Sequence, residues 1–329
     1  VVLPMVALTL GSPLPRVVVV GGTHGNESTG MYVVEHVLSE SELRTTFPAL
    51  SIDTLCANPR AYAVNRRFVD DDLNRQFTSV RLGSAPDASV YESVRAHGIN
   101  AELGPKGPTA SADFVIDMHT TTANMGCTII VNSYSTLVVR VAAYLSKVWG
   151  TYDAELPPTS HAFHVYLHDV SQDDAPYLCS VGRDGITIEV GPTPQGLVRA
   201  DCVATTERAL CLILRYLNLH YSVSEQAPPI RRTLPLYVDQ GKVPWPAVTG
   251  SSAVPGVLIA PSLQDSDFEP LRTGDAMWVR PDGSESMEDR YDGALGEVVY
   301  PIFVNEAAYY YAQSGRGVGL TKLVDWPVE

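Results

Sequence analysis

The side chains best suited to chemistry in this 329-residue chain fall in a few short stretches. Gly21-Gly-Thr-His-Gly-Asn-Glu27 sets His24 and Glu27 three residues apart in a glycine-rich turn, where both can converge on one point. Asp117-Met-His119 adds a second histidine at the end of another apolar run. Two imidazoles and a carboxylate are the donor set of a catalytic first-row metal, chiefly zinc, which takes such ligands at about 2.0–2.2 Å and keeps one position open. Ile188-Glu-Val-Gly191 places Glu189 in an apolar strand, where desolvation raises a carboxyl pKa toward the range of a proton shuttle. The alternative has His24 capping a helix, His119 satisfied in the core and Glu189 held by backbone donors. Convergence of two histidines and a glutamate at the ends of two strands favours the metal.

A second group is Asn65-Arg-Arg-Phe-Val-Asp-Asp-Asp-Leu-Asn-Arg-Gln76. Arg66, Arg67 and Arg75 repel one another if they converge, so a shared anion is the reason to hold them together, and arginine forks onto carboxylates. The competing reading is a solvated loop pairing its own Asp70, Asp71 and Asp72. In Asn305-Glu-Ala-Ala-Tyr-Tyr-Tyr311, one phenol reaching across a cleft could close a site. His161, His164 and His168 form a weaker rival metal cluster, without a second ligand-bearing strand end.

These residues need elements to position them. Arg16-Val-Val-Val-Val20 before Gly21-Gly22 reads as a buried strand ending in a tight loop, and Met31, Val34, Val37 and Leu38 recur at helical spacing after it. The segment Thr23 to Glu27 then lies at the carboxyl end of a strand, where open α/β sheets hold ligands. Strands are expected over Leu50–Cys56, Asp113–Met118, Thr128–Val131 and Ile186–Val190, with helices over Ser89–Leu103, Leu137–Val148 and Asp201–Leu217, all on one sheet. Beyond Tyr221 prolines multiply among short β-rich runs such as Val257–Ala260, Met277–Arg280 and Val298–Val304, so a boundary is expected near residue 220, with 1–220 catalytic and 221–329 a smaller all-β domain.

Composition excludes several classes. The length suits two domains, and 45% hydrophobic with 18% charged residues is globular rather than disordered or fibrous. A net charge of −14 repels nucleic acid and anionic membranes. Apolar runs such as Ala209–Leu214 stop far short of the roughly 18 residues of a membrane span. No secretory leader is expected, and five scattered cysteines (Cys56, Cys127, Cys179, Cys202, Cys211) read as reduced, so the expected address is the cytoplasm.

Taken together, the segments resemble the aspartoacylase and aminoacylase-3 family of zinc amidohydrolases, related to the zinc carboxypeptidases. The resemblance runs nearly end to end: Gly21 to Glu27, Asn58-Pro-Arg-Ala61, Asp72-Leu-Asn-Arg75, Asp117 to Gly126, Glu189-Val-Gly-Pro-Thr-Pro-Gln-Gly196, Leu263 to Phe268 and Val299 to Tyr310. It implies a carboxypeptidase-like α/β fold, a central mixed sheet flanked by helices with the β domain narrowing the cleft, and a homo-oligomer. It implies one zinc ion per subunit on His24, Glu27 and His119, and Glu189 as general base. Arg67 would polarise the acyl carbonyl, Asn74 and Arg75 would grip the α-carboxylate of an N-acyl amino acid, and Tyr309 would close over it.

The family's aspartoacylases carry an arginine for the substrate's second carboxylate between a tyrosine and the catalytic glutamate. Here Cys179 or Ser180 falls in its place, and Ala312 and Gln313 stand where aspartoacylase lysines follow the paired tyrosines. An unpaired second carboxylate would cost several kcal/mol. The expected substrates are therefore N-acetyl aromatic amino acids and mercapturates, with Arg183 the residue that could replace the missing arginine. The rival functions are aspartoacylase, a zinc carboxypeptidase, and a non-catalytic binding protein on the same fold.

Overall fold

Four consecutive valines dictate the centre of the structure. A strand points alternate side chains to opposite faces, so valine at every position needs cover on both. In β1 (Arg16–Gly21), Val17 and Val19 join one core while Val18 and Val20 join a second on the other face. The computed structural model describes residues 13–132, 135–222, 228, 230–246, 256–283, 286–310 and 317–328.

β2 (Ser51–Cys56) and β3 (Phe114–Thr120) flank β1, both parallel to it. Beyond β3 the first reversal comes at β4 (Gly126–Val131), which lies antiparallel to β6 (Asp184–Gly191); β6 pairs parallel with β3, and β5 (Phe163–Leu167) runs parallel to β4. The sheet does not stop there. β7 (Thr233–Val243) pairs parallel with β5 at Tyr166 and Leu167. Three strands of the carboxyl-terminal region complete the sheet's far side: β9 (Leu271–Arg272), β11 (Val298–Ile302) and β12 (Val318–Pro327). The order of the ten strands is β2-β1-β3-β6-β4-β5-β7-β12-β11-β9, while β8 (Leu258–Ile259) and β10 (Trp278–Val279) pair separately.

The helices are α1 (Ser28–Tyr32), α2 (Glu40–Thr46), α3 (Pro59–Ala63), α4 (Ser79–Leu82), α5 (Tyr91–Leu103), α6 (Thr136–Val148) and α7 (Ala200–Tyr221). α7 packs Cys202, Ala209, Ile213 and Leu217 on the first core with α6, while Ala96, Ile99 and Leu103 of α5 cover the second at helical spacing. The expected helical pattern over Met31–Leu38 is realised as α1 followed by a π-helical turn, Val33–Val37, and Leu38 is extended. Among the described residues after 221, the only helical pieces are short 3₁₀ turns. None of the described helices is long and apolar enough to cross a membrane.

A third core, with Trp245, Met277, Trp278 and Tyr291, lies within the carboxyl-terminal region, and a small cluster of Met125, Tyr166, Phe268 and Ile302 joins that region to the helical part. Two buried carboxylates tighten this junction. Glu306 accepts from the Thr121 hydroxyl, the Thr122 hydroxyl (2.9 Å) and the Thr122 N–H (2.8 Å); Asp267 accepts the N–H groups of Asn124 (3.0 Å) and Val304 (2.9 Å). Both therefore hold the loop that directly follows His119.

Candidate metal centre and substrate cavity

β1 delivers its loop to the rim through two glycines that cannot be replaced. Gly22 has φ +69°, and a Cβ on Gly25 would sit 2.1 Å from the Ala61 carbonyl carbon, inside the start of the chain that follows β2. That close approach turns His24 and Glu27 inward. β3 ends beside it, and the ligand atoms of His24, Glu27 and His119 all lie within 4.8 Å of one another.

The pattern of contacts around this cluster is that of a built site. His24 Nδ1 meets Glu27 Oε1 at 2.7 Å and His119 Nδ1 meets Glu27 Oε2 at 2.8 Å. On the outer side, His24 Nε2 meets Asp72 Oδ1 at 3.0 Å and His119 Nε2 meets Asp117 Oδ2 at 2.9 Å. An outer carboxylate on each imidazole is placed to accept the Nε2 proton, so that with a cation at the centre each Nδ1 would offer its lone pair inward. Thr23 donates to Asp117 Oδ1 at 2.7 Å, continuing the support outward. Glu27, Asp72 and Asp117 are each at most 5% exposed, and among the described residues the only guanidinium bonded to any of them is that of Arg67. A divalent cation fits this set on two counts: three inward donors of the right type, and a surplus of buried negative charge for it to balance.

The electrostatics follow the contacts. Burial pushes the Glu27 carboxyl up, but His24 and His119 together outweigh it and hold it below the ordinary range. Asp72 is likewise pulled well down, burial being overcome by His24 and Arg67. His119 is raised well above an ordinary histidine, since Asp117 and Glu27 outweigh its desolvation. Glu189 moves the other way. It pairs with His119 in the β3–β6 register, and burial, reinforced by the charge of Glu27, drives its carboxyl well above the usual value. A raised carboxyl next to a depressed one is how two carboxylates divide the roles of ligand and proton carrier.

The cluster opens into a cavity of about 260 Å³, which also exposes Arg67, Asn74, Arg75 and Tyr309. Arg67 is 6% exposed and gives three of its five N–H donors to Asp72 and Glu27, which leaves two for the cavity. Its loop is anchored by the buried Glu92, which accepts the N–H groups of Val69, Asp70 and Asp71. Arg66, the third arginine of that stretch, is exposed and stays outside. Asn74 accepts the Leu178 N–H with Oδ1 at 2.8 Å, so its amide NH₂ is the end left for a ligand. Arg75 donates to the Asn74 carbonyl at 2.8 Å and stands 5.6 Å over the Tyr177 ring. Tyr309 is half-buried, under the Lys242 ammonium at 3.6 Å from its ring centre.

The structure also settles the side issues. His161, His164 and His168 do not converge. Only His168 reaches the cavity; His164 packs on Phe268, and His161 lies near Asp201 and Cys202. β5 carries this stretch, and residues 161, 164 and 168 on or beside one strand are too far apart to share an ion, since each residue advances about 3.3 Å. Arg183 stands at the start of β6, away from the cavity, paired with Asp113 at 2.8 Å, and does not replace the missing arginine. Cys179 lines the cavity, whereas the Ser180 hydroxyl turns to the carbonyls of Ala175 and Tyr177. Ala312 and Gln313 lie outside the described residues.

Sequence reasoning missed several participants. Asp117 carries a findable signal, because residues two apart on a strand share a face and Asp-x-His is a ready carboxylate–imidazole pair. From the sequence, Asp72 reads only as an arginine partner. Glu306, Asp239 and Lys242 come from strands and loops more than a hundred residues downstream of the histidines; Glu306 lies inside the Asn305–Tyr311 segment, whose tyrosines carry the expectation there, and no local pattern marks Asp239 or Lys242. Lys242 matters most: burial lowers its pKa to about 8, and it places a cation in the cavity that the missing arginine and lysines did not foretell.

Fold and cluster together define an α/β protein whose strand ends carry a candidate metal centre, with a carboxyl-terminal β region against the cleft. Residues 13–217 match the succinylglutamate desuccinylase/aspartoacylase catalytic domain and residues 249–315 the AstE/AspA barrel-sandwich hybrid domain, and the chain belongs to this family. It is 37% identical over 302 residues to the human N-acyl-aromatic-L-amino acid amidohydrolase (carboxylate-forming), covering 91% of this chain and 88% of that protein. It is 33% identical to the aspartoacylase of Danio rerio, covering 91% and 89%. The crystal structure of murine aminoacylase 3 superposes with a TM-score of 0.80 at 30% identity, covering 96% of this chain and 98% of that one.

Proposed function

We propose that this chain is a zinc-dependent amidohydrolase of N-acyl amino acids, acting chiefly on N-acetyl aromatic amino acids and mercapturates and releasing acetate and the free amino acid. The observation that carries the reading is the inward-facing His24–Glu27–His119 set, each imidazole backed by its own carboxylate, with Glu189 beside it in the sheet. The similarity to the human and murine proteins supports the aromatic preference over N-acetyl-aspartate. Five unpaired cysteines support a cytoplasmic protein. The family resemblance supports a homo-oligomer, and residues 1–220 are taken as the catalytic part with 221–329 as the β domain capping its cleft.

His24, Glu27 and His119 would hold the zinc ion, which supplies Lewis acidity at the acyl oxygen and makes water nucleophilic near neutral pH. Glu189 takes the proton of the attacking water and, with its raised pKa, passes it to the amine as the C–N bond breaks. Arg67 aims its two remaining N–H groups at the negative charge that gathers on the acyl oxygen, an interaction worth about 3 to 4 kcal/mol in comparable sites. Asn74 and Arg75 bind the α-carboxylate, and Tyr309 covers the bound substrate.

A direct comparison of kcat/KM for N-acetyl-tyrosine, a mercapturate and N-acetyl-aspartate tests the reading. Preference for the first two is expected. Among the described cavity residues, Lys242 is the cation not assigned above to the acyl group or the α-carboxylate, and a clear preference for the aspartate compound would make the chain an aspartoacylase.

A further inference from the structure

Away from the metal cluster the sheet itself forms the cavity floor. In the sheet, Thr187 of β6, Ile130 of β4 and Tyr166 of β5 are neighbours, and all three line the cavity. His168 follows Tyr166 by two residues on the same face, about 13 Å along the strand from the level of Glu189. There its Nε2 lies 3.0 Å from the Tyr177 hydroxyl, with the two rings edge to face at 87°. His168 and Tyr177 both border the cavity.

The direction of this hydrogen bond decides what the cavity sees. His168 Nδ1 is buried without a hydrogen-bond partner. A buried N–H left unpaired costs more than an unpaired acceptor and is rare in folded proteins. Desolvation keeps the imidazole neutral, so one nitrogen carries the only proton. That proton belongs on Nε2, where it is donated to the Tyr177 oxygen, and the bare lone pair belongs on Nδ1. The Tyr177 phenol proton is then released from the imidazole and free to be donated into the cavity.

We infer that His168 is a specificity-determining residue, which orients Tyr177 as a hydrogen-bond donor to an acceptor atom at the end of the substrate's side chain and so favours hydroxyaryl over plain aryl N-acyl amino acids. This rests on the functional reading above and deepens it. A site arranged to bond a substrate hydroxyl discriminates strongly against the analogue without it, because its own polar group is left unpaired. His168 acts through Tyr177 and takes no part in amide cleavage.

The test is the ratio of kcat/KM for N-acetyl-L-tyrosine to that for N-acetyl-L-phenylalanine, which differ only in the terminal hydroxyl. The zinc-loaded wild-type enzyme is expected to favour the tyrosine compound roughly tenfold or more. His168→Leu should bring the ratio close to one while the phenylalanine compound is turned over within about threefold of wild type, which also reports that the variant is folded. His168→Gln, which keeps an N–H near the Tyr177 oxygen, should recover part of the preference. A wild-type ratio within twofold of one, or a preference that survives in His168→Leu, overturns the inference while leaving the deacylase reading intact. Failure of the wild type to hydrolyse either compound overturns that reading and this inference with it.

Discussion

Asp72→Asn is the most informative single change, because it keeps the shape of a buried residue and removes only its charge. Asp72 Oδ1 accepts from His24 Nε2 (3.0 Å) and the Asn74 N–H (2.9 Å), while Oδ2 accepts from Arg67 Nε (3.2 Å) and Nη2 (3.0 Å). An asparagine offers one oxygen and one NH₂ to these four donors. Whichever way it turns, its NH₂ faces either the arginine fork or the imidazole and Asn74 N–H groups, leaving buried donors unpaired at a cost of about 1–3 kcal/mol of stability. The second effect falls on the metal. Without the outer carboxylate the His24 ring is neither held nor made more basic, and zinc affinity should fall roughly 10- to 100-fold. Competition against a chromophoric chelator gives the affinity, and urea unfolding of the metal-free protein gives the stability separately. A folded Asp72→Asn variant that binds zinc within twofold of wild type would refute the claim that this carboxylate shapes the centre.

Three further outcomes are expected. Glu189→Gln should retain zinc by metal analysis yet lose kcat by about 10²- to 10⁴-fold, and near-normal turnover would remove Glu189 from proton transfer. Dialysis against a strong chelator should abolish hydrolysis and added zinc should restore it; full activity in a protein shown to be metal-free would end the metallohydrolase reading. Asp267, whose carboxyl burial pushes up to about 7 from 3.8, binds a proton in the folded state that the unfolded chain has released between those values. Its contribution to stability is therefore full below pH 4 and declines as pH rises toward 7, by up to about 4 kcal/mol. Urea unfolding of wild type and Asp267→Asn across pH 4 to 7.5 should show the wild type losing stability relative to the variant as pH rises, and a pH-independent difference would contradict it.

Much of the site is legible in the sequence because its parts are local. The valine run ending at Gly21-Gly22 fixes where His24 must emerge, and Asp117-Met-His119 marks a second strand end. The helices Tyr91–Leu103, Thr136–Val148 and Ala200–Tyr221 differ from expectation only at their ends, since repeating apolar residues define a helix better than they define its termini. The rest depends on pairing at long range. β5 is hard to read because Phe163–Leu167 is short and carries His164, between two further histidines at 161 and 168. β7 and β12 are long, but Pro235 and Pro327 lie within their spans and mask them as loops. Lys242 reaches the cavity only because β7 joins the sheet next to β5, a neighbour relation that no local pattern encodes.

That junction has a consequence for anyone dividing the molecule. Separating the chain near residue 220 would not release two finished modules: it would strip β5 of its outer partner at Tyr166 and Leu167 and bare a strand edge on one fragment, while leaving β7 with a matching open edge on the other. Either half, expressed alone, should be prone to self-association through that exposed seam, and mixing the halves offers each the template it lacks.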